Sequence, residues 1–271
     1  MRWGIYSYDG FQGAQAWKQG LSTLGHVGVD RSLWDYREGQ IEDFDVVVTF
    51  GLQGRGKQIV ADHRTAGHKV VVIDYGYLKR TNSVHDWKHG MWQVSVGGLN
   101  KLPTDVDGSR FDALGLTIKE HGFNQHGKPL LCVQTAGDAS HGFNADQLKA
   151  WAGLCKLKWP DIEVRKHPME PDAEFYVAEC PHKALSDALA ACRFVVTGNS
   201  NVGHDALMAG VPVVDTFMGA AWHDLSGEEL PSVDQRRLHF NRCAWGQWTW
   251  AEFEQGLPQR FLLDKSFEGF K

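Results

Sequence analysis

A polar segment with phosphate-binding chemistry follows a short apolar run late in this 271-residue chain. Residues 194–196 predict a buried strand, and the small polar residues at 197–201 predict a turn that caps a helix. Gly210 predicts the end of that helix, and Val213 begins the next strand. A helix N-terminus beyond a strand presents free N–H groups and a positive dipole end to an anion. The motif suits the diphosphate of a nucleotide, although a β-α-β unit without a ligand has the same pattern.

Two further polar segments also follow predicted strands. Arg165, Lys166 and His167 end one strand before Pro168, and such cationic groups suit a phosphate. The segment 134–140 follows another strand, and its amide and carboxylate groups suit ribose, base or sugar hydroxyls. The alternatives are a solvated strand end and a polar loop that caps the next helix. Because the three segments follow strands of one predicted parallel sheet, we expect them to open on the same edge.

The elements that position these segments alternate between strand and helix. In the first half, strands are predicted at 3–8, 27–29, 45–50 and 69–74, with helices at 14–24 and 57–66 and an irregular segment at 75–107. In the second half, strands are predicted at 129–134, 162–166 and 194–196, with helices at 145–158 and 184–191. The fold class is therefore α/β, with two Rossmann-like doubly wound domains that face a cleft. The predicted domains are 1–110 and 125–235, followed by a C-terminal helical tail at 236–271.

Composition excludes several protein classes. The formal net charge of −5 argues against a generally basic nucleic-acid binder, although a local basic patch is compatible with it. The five cysteines form no CxxC pair and no zinc spacing, which favours reduced core thiols. No signal peptide and no long apolar span is present in the sequence, so we expect a soluble cytoplasmic protein.

Two other motifs suggest phosphate or metal chemistry. Residues 51–57 nearly match the P-loop spacing, but Gln58 stands where a P-loop has the Ser or Thr that holds magnesium. A glycine-rich cleft loop is the better interpretation, and a P-loop kinase is a remote alternative. Two Asp-x-Asp pairs, Asp43 with Asp45 and Asp105 with Asp107, lie before a strand and in the 102–128 linker. We interpret them as surface carboxylates and predict no metal and no cofactor.

Together, the three polar segments resemble a known family. The patterns are Gln-x-x-x-Asp-x-Ser, a strand that ends in basic-x-His-Pro, and Gly-Asn-Ser-x-x-Gly-x-x-Ala-x-x-x-Gly-x-Pro-Val. They resemble the capsule-polysaccharide, Kdo-transferase-like branch of GT-B glycosyltransferases over about 130–215. Lys166 departs from the family's Arg-Pro-His-Pro. The resemblance implies a nucleotide-sugar donor, UDP- or CMP-linked, with the phosphates at His167, Ser200 and Asn199. The donor-binding residues we assign are Gln134, Asp138, Ser140, Arg165, His167, Asn199, Ser200, Asn201 and Gly203.

The first half and the tail carry a second resemblance. Segments 72–80, 92–100 and 247–249 are similar to glycosyltransferase-like proteins of tailed bacteriophages. That similarity implies DNA modification in a host cytoplasm, with a hydroxymethylated pyrimidine of double-stranded DNA as acceptor, or else a surface glycan. A flipped base would stack on Trp87 or Trp92. Lys79 and Arg80 would contribute to a basic surface at the cleft mouth, so we assign Lys79, Arg80 and Trp92 to acceptor binding.

The function that we predict is metal-independent transfer of a sugar from a nucleotide sugar to an acceptor, most simply a hydroxymethylated pyrimidine in phage DNA. If the reaction inverts the anomeric centre, a carboxylate must take the acceptor proton. Asp74 and Asp9 both follow strands and are the candidate catalytic residues, with turn capping as the alternative. A surface polysaccharide or lipid glycan is the alternative acceptor. A non-catalytic nucleotide- or sugar-binding module of the same fold is the alternative outside enzymes.

Overall fold

A computed structural model describes residues 1–80, 88–170, 172–175, 177–217 and 219–271. Trp87, one of the two predicted stacking surfaces, lies outside the described residues. The chain divides into two compact units. The first comprises Met1–Leu114 and Asn241–Lys271, and the second comprises Gly115–Phe240.

The first unit begins with alternating strands and helices, as its hydrophobic pattern predicts. Its elements up to residue 114 are β1 (Arg2–Ser7), α1 (Gln12–Thr23), β2 (Val27–Ser32), β3 (Val46–Phe50), α2 (Gly56–Thr65), β4 (Lys69–Tyr75), β5 (Trp92–Val96) and α3 (Ser109–Ala113).

The second unit is built from shorter strands and helices. Its elements are β6 (Leu130–Cys132), α4 (Ala145–Lys158), β7 (Glu163–Arg165), β8 (Ala178–Glu179), α5 (Leu185–Ala191), β9 (Val195–Thr197), α6 (Val202–Ala209) and β10 (Val213–Asp215), with a 3-10 turn at His223–Leu225.

The C-terminal segment supplies helices and one short strand. It comprises α7 (Val233–Trp245), β11 (Gln247–Trp248), α8 (Trp250–Glu254) and α9 (Leu257–Asp264). The predicted tail began at residue 236, whereas residues from Asn241 onward group with the first unit. Arg110 ties this segment to the first unit, since its guanidinium pairs with Glu252 at 2.7 Å and lies 3.8 Å from the centroid of the Trp248 ring.

The first unit contains a six-stranded sheet in the order β11-β5-β4-β3-β1-β2. Strands β2, β1, β3 and β4 are parallel. Side chains alternate between two cores, as the period of a strand requires. Trp3 and Ile5 of β1 lie in the core that α1 covers, whereas Tyr6 lies in the core that α2 covers with Ile59. Because four strands run in parallel, their carboxyl ends share one edge.

The segment 75–107 is not wholly irregular, which corrects the sequence prediction. Strand β5 pairs antiparallel with β4, and β11, predicted as part of a helix, pairs antiparallel with β5. Strand β5 does not show in the apolar pattern, because it contains the polar residues Gln93 and Ser95. Both side chains are buried and hydrogen-bonded. The Tyr77 hydroxyl lies 3.0 Å from Gln93 Oε1 and 3.3 Å from Ser95 Oγ.

The second unit contains a five-stranded parallel sheet in the order β10-β9-β6-β7-β8. Local chemistry fixes its helix ends. Asn144 and Gln147 form a reciprocal capping box at the start of α4, and Gly210 ends α6 in the left-handed region at φ +75°. Both sheets are doubly wound, so the predicted α/β fold class is confirmed. No helix in the described ranges is long and apolar enough to cross a membrane.

Candidate functional site

Asn199 is the centre of a hydrogen-bond cluster in the second unit. Its Oδ1 accepts a hydrogen bond from Gln134 Nε2 at 2.8 Å and another from Ser140 Oγ at 3.1 Å. Its Nδ2 donates to the backbone oxygen of Ser140 at 3.2 Å. The amide of Asn199 therefore joins the loop after β6 to the loop after β9, and the structure brings these three predicted residues together.

Gln134 approaches the backbone of the same turn closely. Its side chain is buried, and its Oε1 has no hydrogen-bond partner among the described residues. A Cβ at Gly198 would lie 2.3 Å from this oxygen and 2.1 Å from the Phe217 ring. Only glycine therefore fits at position 198. An unpaired polar oxygen in such a place costs free energy, and a ligand donor that reached it would recover that cost.

The N-terminus of α6 is held rigidly by its neighbours. Ser200 Oγ accepts a hydrogen bond from the backbone N–H of Val202 at 3.3 Å, and Trp222 Nε1 donates to the Ser200 carbonyl at 3.1 Å. A Cβ at Gly203 would lie 2.0 Å from the Trp222 ring. The predicted residues Ser200, Asn201 and Gly203 thus form one preorganised turn at the positive end of the α6 dipole.

The other two predicted loops open at the same sheet edge, because β7, β6 and β9 are neighbours. Asp138 Oδ1 accepts from the backbone N–H of Ser140 at 2.7 Å and so shapes its own loop. His167 Nδ1 accepts from the backbone N–H of Met169 at 3.2 Å. The contacts of both residues with a nucleotide sugar stay predictions.

Arg165 is engaged with backbone. Its guanidinium donates to the carbonyl oxygens of His182 and Lys183 at 2.9 and 2.8 Å. Lys166 pairs with Glu179 at 2.6 Å. Arg165 therefore fastens the 182–183 segment to β7. Its predicted contact with a phosphate stays a prediction.

The first unit contains a cleft of about 490 Å³ at the carboxyl ends of β1, β3 and β4. The two candidate catalytic carboxylates, Asp9 and Asp74, both line it. Asp74 Oδ1 accepts a hydrogen bond from the backbone N–H of Tyr75 at 2.7 Å. The remaining lining residues are Tyr8, Gly10, Phe11, Phe50, Gly51, Gln53, Ile73, Tyr75 and Trp92.

Aromatic rings form much of the cleft wall. Trp92 is 5% exposed and stacks between Tyr75, at 5.4 Å between ring centroids, and Trp250, at 5.7 Å. Tyr75 is 46% exposed. Trp92 is the predicted stacking residue, but the ring that solvent can reach is that of Tyr75, which stacks on Trp92.

Lys79 and Arg80 are exposed just beyond β4. Neither is among the described residues that line the cleft. Their acceptor role is therefore a prediction that rests on charge and proximity to the end of β4.

The P-loop-like segment forms one rim of this cleft through Gly51 and Gln53. A Cβ at Gly56 would lie 2.5 Å from the Gly51 carbonyl oxygen, so the loop is tightly folded before α2. Gln58 Nε2 donates to Asp62 along the helix at 2.6 Å. This geometry accords with the glycine-rich cleft loop.

One member of each Asp-x-Asp pair shapes local backbone. Asp45 Oδ2 accepts from the backbone N–H of Arg2 at 2.6 Å. Asp107 Oδ1 accepts from the backbone N–H of Ser109 at 2.9 Å. These hydrogen bonds give both carboxylates a role in local backbone structure.

Four cleft-lining residues, Tyr8, Phe11, Gln53 and Tyr75, lie in the loops 7–13, 50–56 and 74–80 that the predicted strand ends place at the cleft, but none was assigned a role from the sequence. Position is the signal that predicts these loops, because each residue lies within a few residues of the carboxyl end of a parallel strand, where ligands of open α/β sheets bind. Residue type does not single out the three aromatic residues among them, since aromatic side chains beside a strand are also typical of a core.

Comparisons with solved structures identify related folds. KpsC of Thermosulfurimonas dismutans, described as a beta Kdo 2,4 transferase, is 16% identical with a TM-score of 0.56, over 90% of this chain and 90% of that chain. A second KpsC structure from the same organism, a beta Kdo 2,7 transferase, is 12% identical with a TM-score of 0.52, over 96% and 100%. No protein-family model matches the sequence, and no curated protein matches it either.

These neighbours show the fold. The chain has a GT-B glycosyltransferase-like fold, with two Rossmann-like units, as the resemblance in 130–215 implied. At such low sequence identity the likeness carries no substrate from the neighbours to this chain, and it shows no connection to bacteriophages or to DNA.

Proposed function

We propose that this protein is a metal-independent glycosyltransferase that binds a nucleotide sugar in its second unit and an acceptor in its first. The observation that carries the proposal is the hydrogen-bonded Asn199 turn, where the loop after β6 is joined to the loop after β9 at the N-terminus of α6, in a fold shared with sugar transferases. Fold alone does not define chemistry. The proposal therefore depends on what this turn can bind.

The turn suits a phosphate for a physical reason. Negative charge grows on the leaving phosphate as the glycosidic bond breaks, so fixed N–H donors stabilise the transition state more than the ground state. Ser200 and Asn201 would supply these donors at the positive end of α6. His167, in the loop after β7, which lies two strands from β9 in the sheet, would add a donor or a cation. UDP and CMP are the nucleotides that we expect.

The acceptor would bind in the cleft of the first unit, where a carboxylate can take its proton. Asp74 is the preferred base, because it ends the central strand β4 and its Oδ1 is oriented by the Tyr75 N–H. Asp9 is the alternative. Both carboxylates line the same cleft, so each is within the reach of a molecule bound there.

Two acceptor classes follow from the sequence. A hydroxymethylated pyrimidine of DNA draws support from the exposed Lys79 and Arg80 beyond β4. A glycan draws support from the cleft itself, since two carboxylates would repel the DNA backbone but accept hydrogen bonds from sugar hydroxyls. We propose that the acceptor is a glycan, and the experiments below include DNA as the alternative acceptor.

A thermal-shift panel tests the donor site directly. Purified protein in EDTA is mixed with UDP, CMP, GDP and ATP in separate wells, and the same panel is run on Ser200→Ala and His167→Ala. We expect stabilisation by UDP or CMP alone, reduced in both variants. Stabilisation by ATP alone would support the P-loop kinase instead, and no shift with any nucleotide would contradict the donor site. A nucleotide shift without turnover on any acceptor would favour the non-catalytic binding module.

A further inference from the structure

Trp34 is a large aromatic side chain that the protein leaves in solvent. Its exposed fraction is 61%, although its neighbours Leu33 and Tyr36 are buried at 1% and 5%. It lies two residues beyond the end of β2, at the sheet edge where β1, β3 and β4 also end. Because Leu33 and Tyr36 are buried, they hold this segment in place, and Trp34 is exposed in a well-defined position.

The indole of Trp34 is held against the rim of the cleft. Its ring centroid lies 5.6 Å from that of Tyr8, a cleft-lining residue. Gly54, in the P-loop-like segment, also lies against the ring, since a Cβ there would lie 3.2 Å from it. The backbone N–H of Trp34 donates to Ser32 Oγ at 3.3 Å. Trp34 therefore packs against Tyr8 and Gly54 and still exposes most of its side chain to solvent.

Tyr75 is the corresponding exposed ring at the other end of the cleft, stacked on Trp92. In the sheet order β4-β3-β1-β2, the strands that precede these two rings are three spacings apart, or about 14 Å. Asp9 and Gln53 follow β1 and β3, the two strands between β4 and β2, and Asp74 lies beside Tyr75 on β4. The distance exceeds the length of one hexose ring.

This arrangement has the chemistry of a carbohydrate site. A pyranose offers an apolar face of C–H groups and a rim of hydroxyls. Tyr and Trp rings pack against the apolar face at low entropic cost, while carboxylate and amide oxygens accept from the hydroxyls. A polyanion such as DNA would place its phosphates beside Asp9 and Asp74, which is unfavourable.

We propose that the acceptor is an oligosaccharide of at least two residues, which lies along the carboxyl edge of the first sheet between Tyr75 and Trp34. Its reacting residue packs on Tyr75 beside the carboxylates, and a more distant residue stacks on Trp34. Trp34 is then an outer subsite that selects acceptors by their length. This inference rests on the proposed function for its acceptor site, but it concerns glycan binding alone.

The test measures glycan binding without a donor. Full-length protein is titrated by saturation-transfer NMR with bacterial-type surface glycan fragments from monosaccharide to tetrasaccharide, and with a duplex oligonucleotide that carries hydroxymethylcytosine. The same titrations are run on Trp34→Ala, on Trp34→Phe and on Leu154→Ala. Leu154 is a matched control because it is 65% exposed in the second unit.

We expect at least one oligosaccharide to bind, and Trp34→Ala to weaken it about tenfold while the monosaccharide is unaffected. Trp34→Phe should retain most of the affinity, and Leu154→Ala all of it. Equal affinity in Trp34→Ala, binding of no glycan, or binding of the duplex alone would each overturn the proposal. Glycan binding in a protein that binds no nucleotide would support this inference and contradict the proposed function, so the two failures are distinguishable.

Discussion

Gln134 donates a hydrogen bond from Nε2 to Asn199 Oδ1 at 2.8 Å, across 65 residues of sequence. This bond fixes the orientation of the Asn199 amide, with Oδ1 toward the Gln134 donor and Nδ2 toward the Ser140 carbonyl. Gln134 thus acts on the proposed phosphate site through Asn199 and is a positioning residue. Its effect should appear in the affinity for the donor.

The substitution Gln134→Glu removes the Nε2 donor and places a negative charge beside the turn. We expect the affinity for UDP or CMP to fall by roughly one to two orders of magnitude, since a lost bond and a repulsive charge act together. Isothermal titration without metal measures this. Gln40→Glu is the matched control, because Gln40 is exposed in the first unit. Equal losses in both variants would show a general charge effect and contradict the role of Gln134.

Asp74 and Asp9 can be separated by conservative substitution. If Asp74 takes the acceptor proton, Asp74→Asn should lower kcat by about 10²–10⁴-fold, while Asp9→Asn changes chiefly the KM for the acceptor. Steady-state kinetics with saturating nucleotide sugar distinguishes the two. The reverse result would assign the base to Asp9. If both variants keep the wild-type kcat, neither carboxylate takes the acceptor proton, and the assignment is wrong.

The sequence predicted most of the parallel strands of both sheets, because buried strands such as β3 and β9 are largely apolar runs. It did not predict the parallel strand β8, whose two residues, Ala178 and Glu179, are exposed. It failed at β5, whose Gln93 and Ser95 are buried in a polar network that includes Tyr77. Short-range patterns do not show where such bonds are made. The proposed donor loops were found by their polar residue types, whereas Trp34 and Tyr75 were not, because exposure of an aromatic ring depends on tertiary packing.

His63 should make the first unit sensitive to mild acid. Burial, with the neighbouring His68 as the next cause, lowers the pKa of His63 from 6.5 to about 4. Between these values the unfolded chain binds a proton that the folded chain does not, so stability present above pH 6.5 falls as the pH drops toward 4. The loss is at most about 3 kcal/mol. Urea unfolding of His63→Phe across this range should show a shallower pH dependence than wild type, and parallel curves would contradict the assignment.

Gly203 should tolerate no side chain. An added Cβ would lie 2.0 Å from the Trp222 ring, so Gly203→Ala must displace the ring or α6. We expect a loss of about 1–3 kcal/mol from overpacking. Gly153→Ala is the matched control, because Gly153 lies in α4 with nothing within 4 Å of its added Cβ. That change should stabilise by about 0.5–1 kcal/mol through helix propensity. Thermal unfolding compares them, and equal effects would contradict the close contact.

Arg236 holds four backbone carbonyls in the interior of the second unit. Its guanidinium donates to Pro231, Lys119, Leu207 and Glu120 at 2.7–3.1 Å, and the side chain is 1% exposed. Burial lowers the pKa of this guanidinium below its ordinary value, and the carbonyl dipoles are the groups that solvate its charge. The residue therefore fastens the C-terminal end of α6 to the segment at 119–120.

The change Arg236→Lys keeps the charge, but one ammonium group cannot reach all four carbonyls. We expect a loss of roughly 2–4 kcal/mol, because several buried acceptors lose their donor. Arg260→Lys is the control, since Arg260 is exposed on α9. Denaturant unfolding of both variants measures the difference. Matching midpoints would mean that water or a shifted lysine replaces the guanidinium, and would show that the four bonds are not needed for the stability of this unit.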